Sequence, residues 1–152
     1  MDKDFTSALK VDKILKIGKE LNSSLIKYNN DLLFAFKKGI YKYQVGQNEF
    51  VKDTLLSELF KKDEYTSGRL IYNSKTNILW AFSKNDLNYL SPGKLSDIPK
   101  INKISLSQSL PRGLTSYENI AHLSNQKYLV GTSTGYTIVD LDKLPHKNYA
   151  VV

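Results

Sequence analysis

Residues 128–140, YLVGTSTGYTIVD, decide the fold. Two runs rich in β-branched and aromatic side chains flank a Ser133-Thr134-Gly135 turn, the pattern of a β-hairpin. The pattern occurs twice more upstream. Residues 31–43 carry Leu33-Phe34-Ala35-Phe36, then Lys37-Lys38-Gly39, then Ile40-Tyr41-Lys42-Tyr43. Residues 77–89 carry Leu79-Trp80-Ala81-Phe82, then Ser83-Lys84-Asn85, then Asp86-Leu87-Asn88-Tyr89. Aligning Leu33, Leu79 and Leu129 spaces the hairpins by 46 and 50 residues and superposes Gly39, Asn85 and Gly135. Gly and Asn are the residues that tolerate a positive φ in a turn. A period of this size marks a repeat protein.

The remaining segments complete each repeat. Residues 25–28 form a short strand before the first hairpin, the polar stretch 44–48 with Gly46 a turn, and 49–51 the start of a fourth strand. Residues 53–60 are the one helical patch: Asp53 caps it, and Leu55, Leu56, Leu59 and Phe60 share a face. At that length it is one or two turns within a connection. The second unit has strands at 69–72, 79–82, 86–90 and 101–106, with turns at 73–77 and Ser91-Pro92-Gly93. The third has strands at 118–123 and through the hairpin, with a turn at 124–126, and 148–152 opens a fourth strand. Residues 8–17 fit alternation and a helical face alike; the turn residues that follow favour a strand.

Four short antiparallel strands per 45–50 residues match the blade of a β-propeller. The fold class is therefore all-β, with about three blades at 22–60, 66–107 and 115–152, and residues 8–18 as an outer strand of a preceding blade. Closed propellers need at least four blades, so the chain is a partial propeller. Residues 32–36 and 78–82 are nearly continuous apolar runs, which requires burial on both strand faces. Phe34, Phe36, Trp80 and Phe82 are accordingly assigned to packing between blades.

Composition narrows the function. The chain lacks cysteine, and His122 and His146 stand alone, so neither disulfides nor a metal site are expected. The net charge of +7 comes from scattered lysines with only two arginines, which suits a solvated surface better than a nucleic-acid interface. No run has the length of a membrane helix, and no signal peptide lies in the segment. Gly131-Thr132-Ser133-Thr134-Gly135 lacks the Lys-Ser/Thr of a phosphate loop, and no Gly-X-Ser-X-Gly elbow occurs. The carboxylate pairs Asp63-Glu64 and Asp140/Asp142 read as solvated caps rather than acid–base machinery. The expectation is a protein that is not an enzyme and uses no cofactor.

Several of these residues resemble a known family. Leu79-Trp80-Ala81-Phe82, Gly39-Ile40-Tyr41-Lys42-Tyr43, Glu118-Asn119-Ile120 followed by Tyr128-Leu129-Val130-Gly131-Thr132 and Gly135-Tyr136, and Leu56-Ser57 before a connection are similar to two-component regulator propeller repeats. The chain departs from the pattern at Asn85-Asp86, where the other turns have Gly, and at Val130-Gly131 in place of a Trp-containing pair. The resemblance implies the sensor propeller of a membrane-spanning regulator of Bacteroidetes-type bacteria. In such proteins a β-sandwich named for three tyrosines follows, then a membrane helix and a kinase or DNA-binding output. It implies a periplasmic location, a non-enzymatic role in ligand recognition, and residues 148–152 as the last propeller strand. A polysaccharide-acting propeller enzyme and a passive dimerisation scaffold are the alternatives.

On a propeller, the connections into the first strands share a face with the turns between second and third strands. That face collects Lys37, Lys38, Tyr65, Lys84, Asn85, Arg112 and Tyr117 as candidate ligand-binding residues. The expected partners are an oligosaccharide or other small ligand and a second copy of the chain, joined through stacked open blade faces or exchanged terminal strands, with residues 8–17 at or near the dimer contact; local collapse of the ends is the alternative. Contact with nucleic acid and insertion into a membrane are not expected.

Overall fold

The computed structural model describes residues 22–60, 63–93, 99–106 and 117–144. The strands expected at 8–17 and 148–152 lie outside them, as does Arg112. The chain is all-β. Three antiparallel sheets follow one another in sequence, each a meander in which neighbouring strands are joined directly.

Sheet 1 contains β1 (Ser24–Tyr28), β2 (Asp31–Phe36), β3 (Gly39–Gln44) and β4 (Glu49–Asp53). A single helical turn, α1 (Thr54–Ser57), follows. Sheet 2 contains β5 (Tyr65–Asn73), β6 (Ile78–Ser83), β7 (Asp86–Ser91) and β8 (Lys100–Ser105). Sheet 3 has three described strands, β9 (Ile120–Ser124), β10 (Lys127–Thr132) and β11 (Gly135–Asp140), with β10 in the middle.

The sheets pack face to face. Leu33, Ala35 and Ile40 of sheet 1, with Leu56, Leu59 and Phe60 beyond it, share a core with Leu70, Leu79, Ala81 and Leu90 of sheet 2. On the other side of sheet 2, Ile78, Trp80, Phe82 and Leu87 share a second core with Ile120, Tyr128, Val130 and Val139 of sheet 3. Every residue of β6 is buried, because alternate side chains serve different cores. The continuous apolar run of that strand has this physical origin. In β2 the two faces are less alike, since Leu32 and Phe34 are only half-buried.

The hairpin registers differ from the sequence alignment by one residue. Phe36 pairs with Gly39, Phe82 with Leu87 and Thr132 with Gly135, so the two-residue turns are Lys37-Lys38, Lys84-Asn85 and Ser133-Thr134. Asp86, not Asn85, is the counterpart of Gly39 and Gly135, and Trp80, not Leu79, the counterpart of Leu33 and Leu129. Asn85 does not adopt a positive φ. That conformation falls instead to Asn29, Asn77 and Asn125, which lie 48 residues apart in the turns between first and second strands. The short polar side chain of Asn tolerates the left-handed region, so the repeat is also written in these turns.

The helical turn behaves as expected at its start: Asp53 Oδ1 accepts from the Leu56 backbone N–H at 2.9 Å. Leu56, Leu59 and Phe60 are buried, but Leu55 is exposed, because one turn cannot aim all four side chains inward. Ser57 Oγ accepts from the Ile40 N–H at 3.0 Å and so fastens this turn to β3. A Cβ on Gly39, whose φ is +126°, would come within 2.6 Å of that hydroxyl.

Gly68 lies at a close approach of sheets 1 and 2. It has φ +64° and interrupts β5 between Tyr65 and Leu70. Its carbonyl accepts from Ser24 Oγ at 2.6 Å. A Cβ there would collide with the Tyr65 hydroxyl and lie 3.3 Å from the Ala35 carbonyl oxygen. Gly68→Ala should therefore destabilise the fold by about 1–2 kcal/mol through the left-handed backbone alone. Urea unfolding of the variant checks this, and an unshifted midpoint contradicts it.

Candidate ligand-facing end

The stack has two distinguishable ends. At one, the Tyr72 hydroxyl lies 2.5 Å from Asn29 Oδ1 and 3.0 Å from Asn77 Oδ1, and its ring meets Tyr28 edge-on at 4.9 Å. This joins the β1–β2 and β5–β6 turns. Ile78, directly after the second of these turns, shares a core with Tyr128 of sheet 3. The antiparallel registers then place the β2–β3, β6–β7 and β10–β11 turns together at the opposite end.

That opposite end holds most of the residues singled out in the sequence. Lys37, Lys38, Lys84 and Asn85 are exposed in their two turns. The Lys84 N–H donates to the Glu64 carbonyl at 2.8 Å, which brings the start of sheet 2 alongside. In sheet 3 the Gly131 N–H donates to the Asn119 carbonyl at 3.0 Å, so the exposed Tyr117 sits at the corresponding edge. Tyr65 behaves differently. Its ring packs edge-on against Phe60 at 5.5 Å and its hydroxyl donates to the Asn22 carbonyl, so it braces the junction of sheets 1 and 2.

A charged cluster lies at the same end. The buried Asp86 carboxylate is ion-paired with Lys103 of β8, whose Nζ is also 3.7 Å from Glu64 Oε2. Burial by itself pushes the Asp86 carboxyl up. The paired Lys103 ammonium is the chief influence that outweighs it and holds the group below the usual carboxylate range. Lys103 is raised in turn, chiefly by its hydrogen bond to Asp86. Next to them the buried Asn88 donates from Nδ2 to the Leu59 carbonyl at 2.8 Å and to Ser83 Oγ at 2.9 Å. The junction of sheets 1 and 2 is thus polar at this end and apolar further in.

This network was not visible as a motif, because Asp86 and Lys103 are brought together only by the β7–β8 register. The carboxylate pairs that adjacency suggested part company. Asp63 is exposed while Glu64 turns toward Lys103. Asp140 Oδ1 caps a short 3₁₀ turn by accepting from the Asp142 N–H at 3.2 Å. An ionised Asp86 held against a lysine is a structural anchor rather than a poised proton donor.

No group of three or more metal-ligating side chains occurs among the described residues. No described helix is long and apolar enough to cross a membrane. Comparisons with protein-family models, curated proteins and solved structures give no match.

Proposed function

We propose that the chain is a non-enzymatic binding module made of β-propeller blades. In this reading it belongs to the periplasmic sensor propeller of a two-component or transcriptional regulator and recognises an anionic ligand, such as an acidic oligosaccharide, at its turn end. One observation carries it: consecutive meanders set the exposed Lys37, Lys38 and Lys84 on one end, and none has an ion-pair partner among the described residues. Unpaired lysines on adjoining turns create a positive field that draws anions. Signalling then requires only that ligand favour one arrangement of the sensor over another.

Titration calorimetry with acidic and neutral oligosaccharides tests this. Saturable, salt-sensitive binding of the acidic set is expected, and it should vanish when Lys37, Lys38, Lys84 and Arg112 are all changed to Gln. Unchanged affinity in that variant removes the turn end as the site. Cleavage of the oligosaccharide would instead identify a polysaccharide-acting enzyme, and absence of binding a scaffold.

A further inference from the structure

Sheet 3 buries only one of its faces against sheet 2. Its other face carries Ala121, Leu129 and Ile138 in a row across all three strands, with Gly131 beside Tyr136 and Leu123 near one edge. Tyr136 is 70% exposed, Ile138 54% and Leu123 48%. So much apolar surface on one sheet face marks a contact site.

The repeat identifies what kind of contact. Leu129 holds the hairpin position of Leu33 and Trp80, both fully buried. Leu33 faces the core between sheets 1 and 2, and Trp80 the core between sheets 2 and 3. The same sheet face is therefore used twice within the chain to receive a sheet, each time the opposite face of the next one, and the exposed face of sheet 3 is its third occurrence.

We infer that this face binds the same face of a second copy of the chain, with a two-fold axis running between β10 and β11. The register makes the surface complementary to itself under that operation. It pairs Lys127 with Asp140, Leu129 with Ile138 and Gly131 with Tyr136. Across the axis, lysine meets aspartate, leucine meets isoleucine, and the tyrosine ring meets a glycine. A Cβ on Gly131 would have just one atom nearby, the Asn119 carbonyl oxygen at 3.8 Å, so there is room for a ring over it. An isologous interface needs this kind of self-complementarity. A head-to-tail arrangement would need an equally open face at the other end of the stack. There, among Phe34, Phe36, Tyr41, Tyr43 and Phe50, the rings of Phe36 and Phe50 are already buried.

The inference is independent of the ligand reading, since it uses none of the lysine turns. Residues 8–17, expected near the dimer contact, lie outside the described residues.

Sedimentation velocity on the full chain tests it. A species of twice 17.3 kDa should form as concentration rises. Ile138→Lys, at an exposed position, should weaken it by at least about tenfold in dissociation constant. Lys127→Glu and Asp140→Lys should each weaken self-association, whereas the two variants mixed should form a heterodimer. Circular dichroism confirms that each variant is folded. A wild-type chain that stays at 17.3 kDa overturns the inference. So does a dimer indifferent to Ile138→Lys, or a mixture no tighter than its components.

Discussion

Trp80→Ala should lower the unfolding free energy by about 3–5 kcal/mol, the range for deleting a buried aromatic side chain. Trp80 is fully buried, and its ring contacts Tyr89 at 5.0 Å within sheet 2 and Tyr128 at 4.9 Å across the junction with sheet 3. Removing it leaves a cavity that two sheets would have to close together, and rigid sheets collapse poorly into such spaces. Urea unfolding against an exposed control, Lys52→Ala, gives the comparison. A midpoint shift no larger than the control's would show that Trp80 does not hold sheets 2 and 3 together.

Lys103→Met should cost about 2–3 kcal/mol at neutral pH. This is below the range for a fully buried pair because the ammonium is partly solvated. The cost arises on Asp86, whose buried carboxylate loses the partner that holds it ionised. The sign of the pH dependence distinguishes this cause from lost packing. In the parent chain Asp86 titrates below its unfolded value. Its contribution is therefore complete above the ordinary aspartate range and is lost as pH falls through the depressed value. Without Lys103 the largest lowering influence is gone and the folded-state value rises relative to the parent's. The variant's folded state then binds more protons, and its deficit relative to the parent should shrink as the solution is acidified. Denaturant titrations at neutral and mildly acidic pH measure it. A deficit that stays constant would mean that the charge pair is not its source.

Strand positions were largely legible in the sequence, because turns punctuate short apolar runs. Orientation was harder to extract. In Ile78–Ser83 every side chain is buried, so hydrophobicity cannot say which residues face which neighbour. Aligning on leucine placed Leu79 with Leu33, although Leu79 faces sheet 1 and Trp80 is the true counterpart. Anchoring on Asn29, Asn77 and Asn125 would have revealed the even 48-residue period, but a turn asparagine attracts less notice than a glycine. Nothing local in the sequence reveals that the Tyr65 ring lies on Phe60. Asp86 with Lys103 needed the register of two strands joined by a Pro-Gly-containing connection, and adjacency in sequence pointed to other carboxylates instead.

The middle position of sheet 2 has a consequence for biosynthesis. Each sheet is made of consecutive strands, so its hydrogen bonds can form as soon as its own stretch of chain has left the ribosome. Within the described stack, sheet 1 and sheet 3 each dock onto sheet 2 through a single face. Sheet 2 alone must spend time with Ile78, Trp80, Phe82 and Leu87 bare, after docking on sheet 1 and before sheet 3 is complete. During that interval the nascent chain displays its largest ring to solvent and to neighbouring chains. The vulnerable interval runs from the end of sheet 2 at Ser105 to the end of the last described strand of sheet 3 at Asp140, a delay set by translation speed and not by stability.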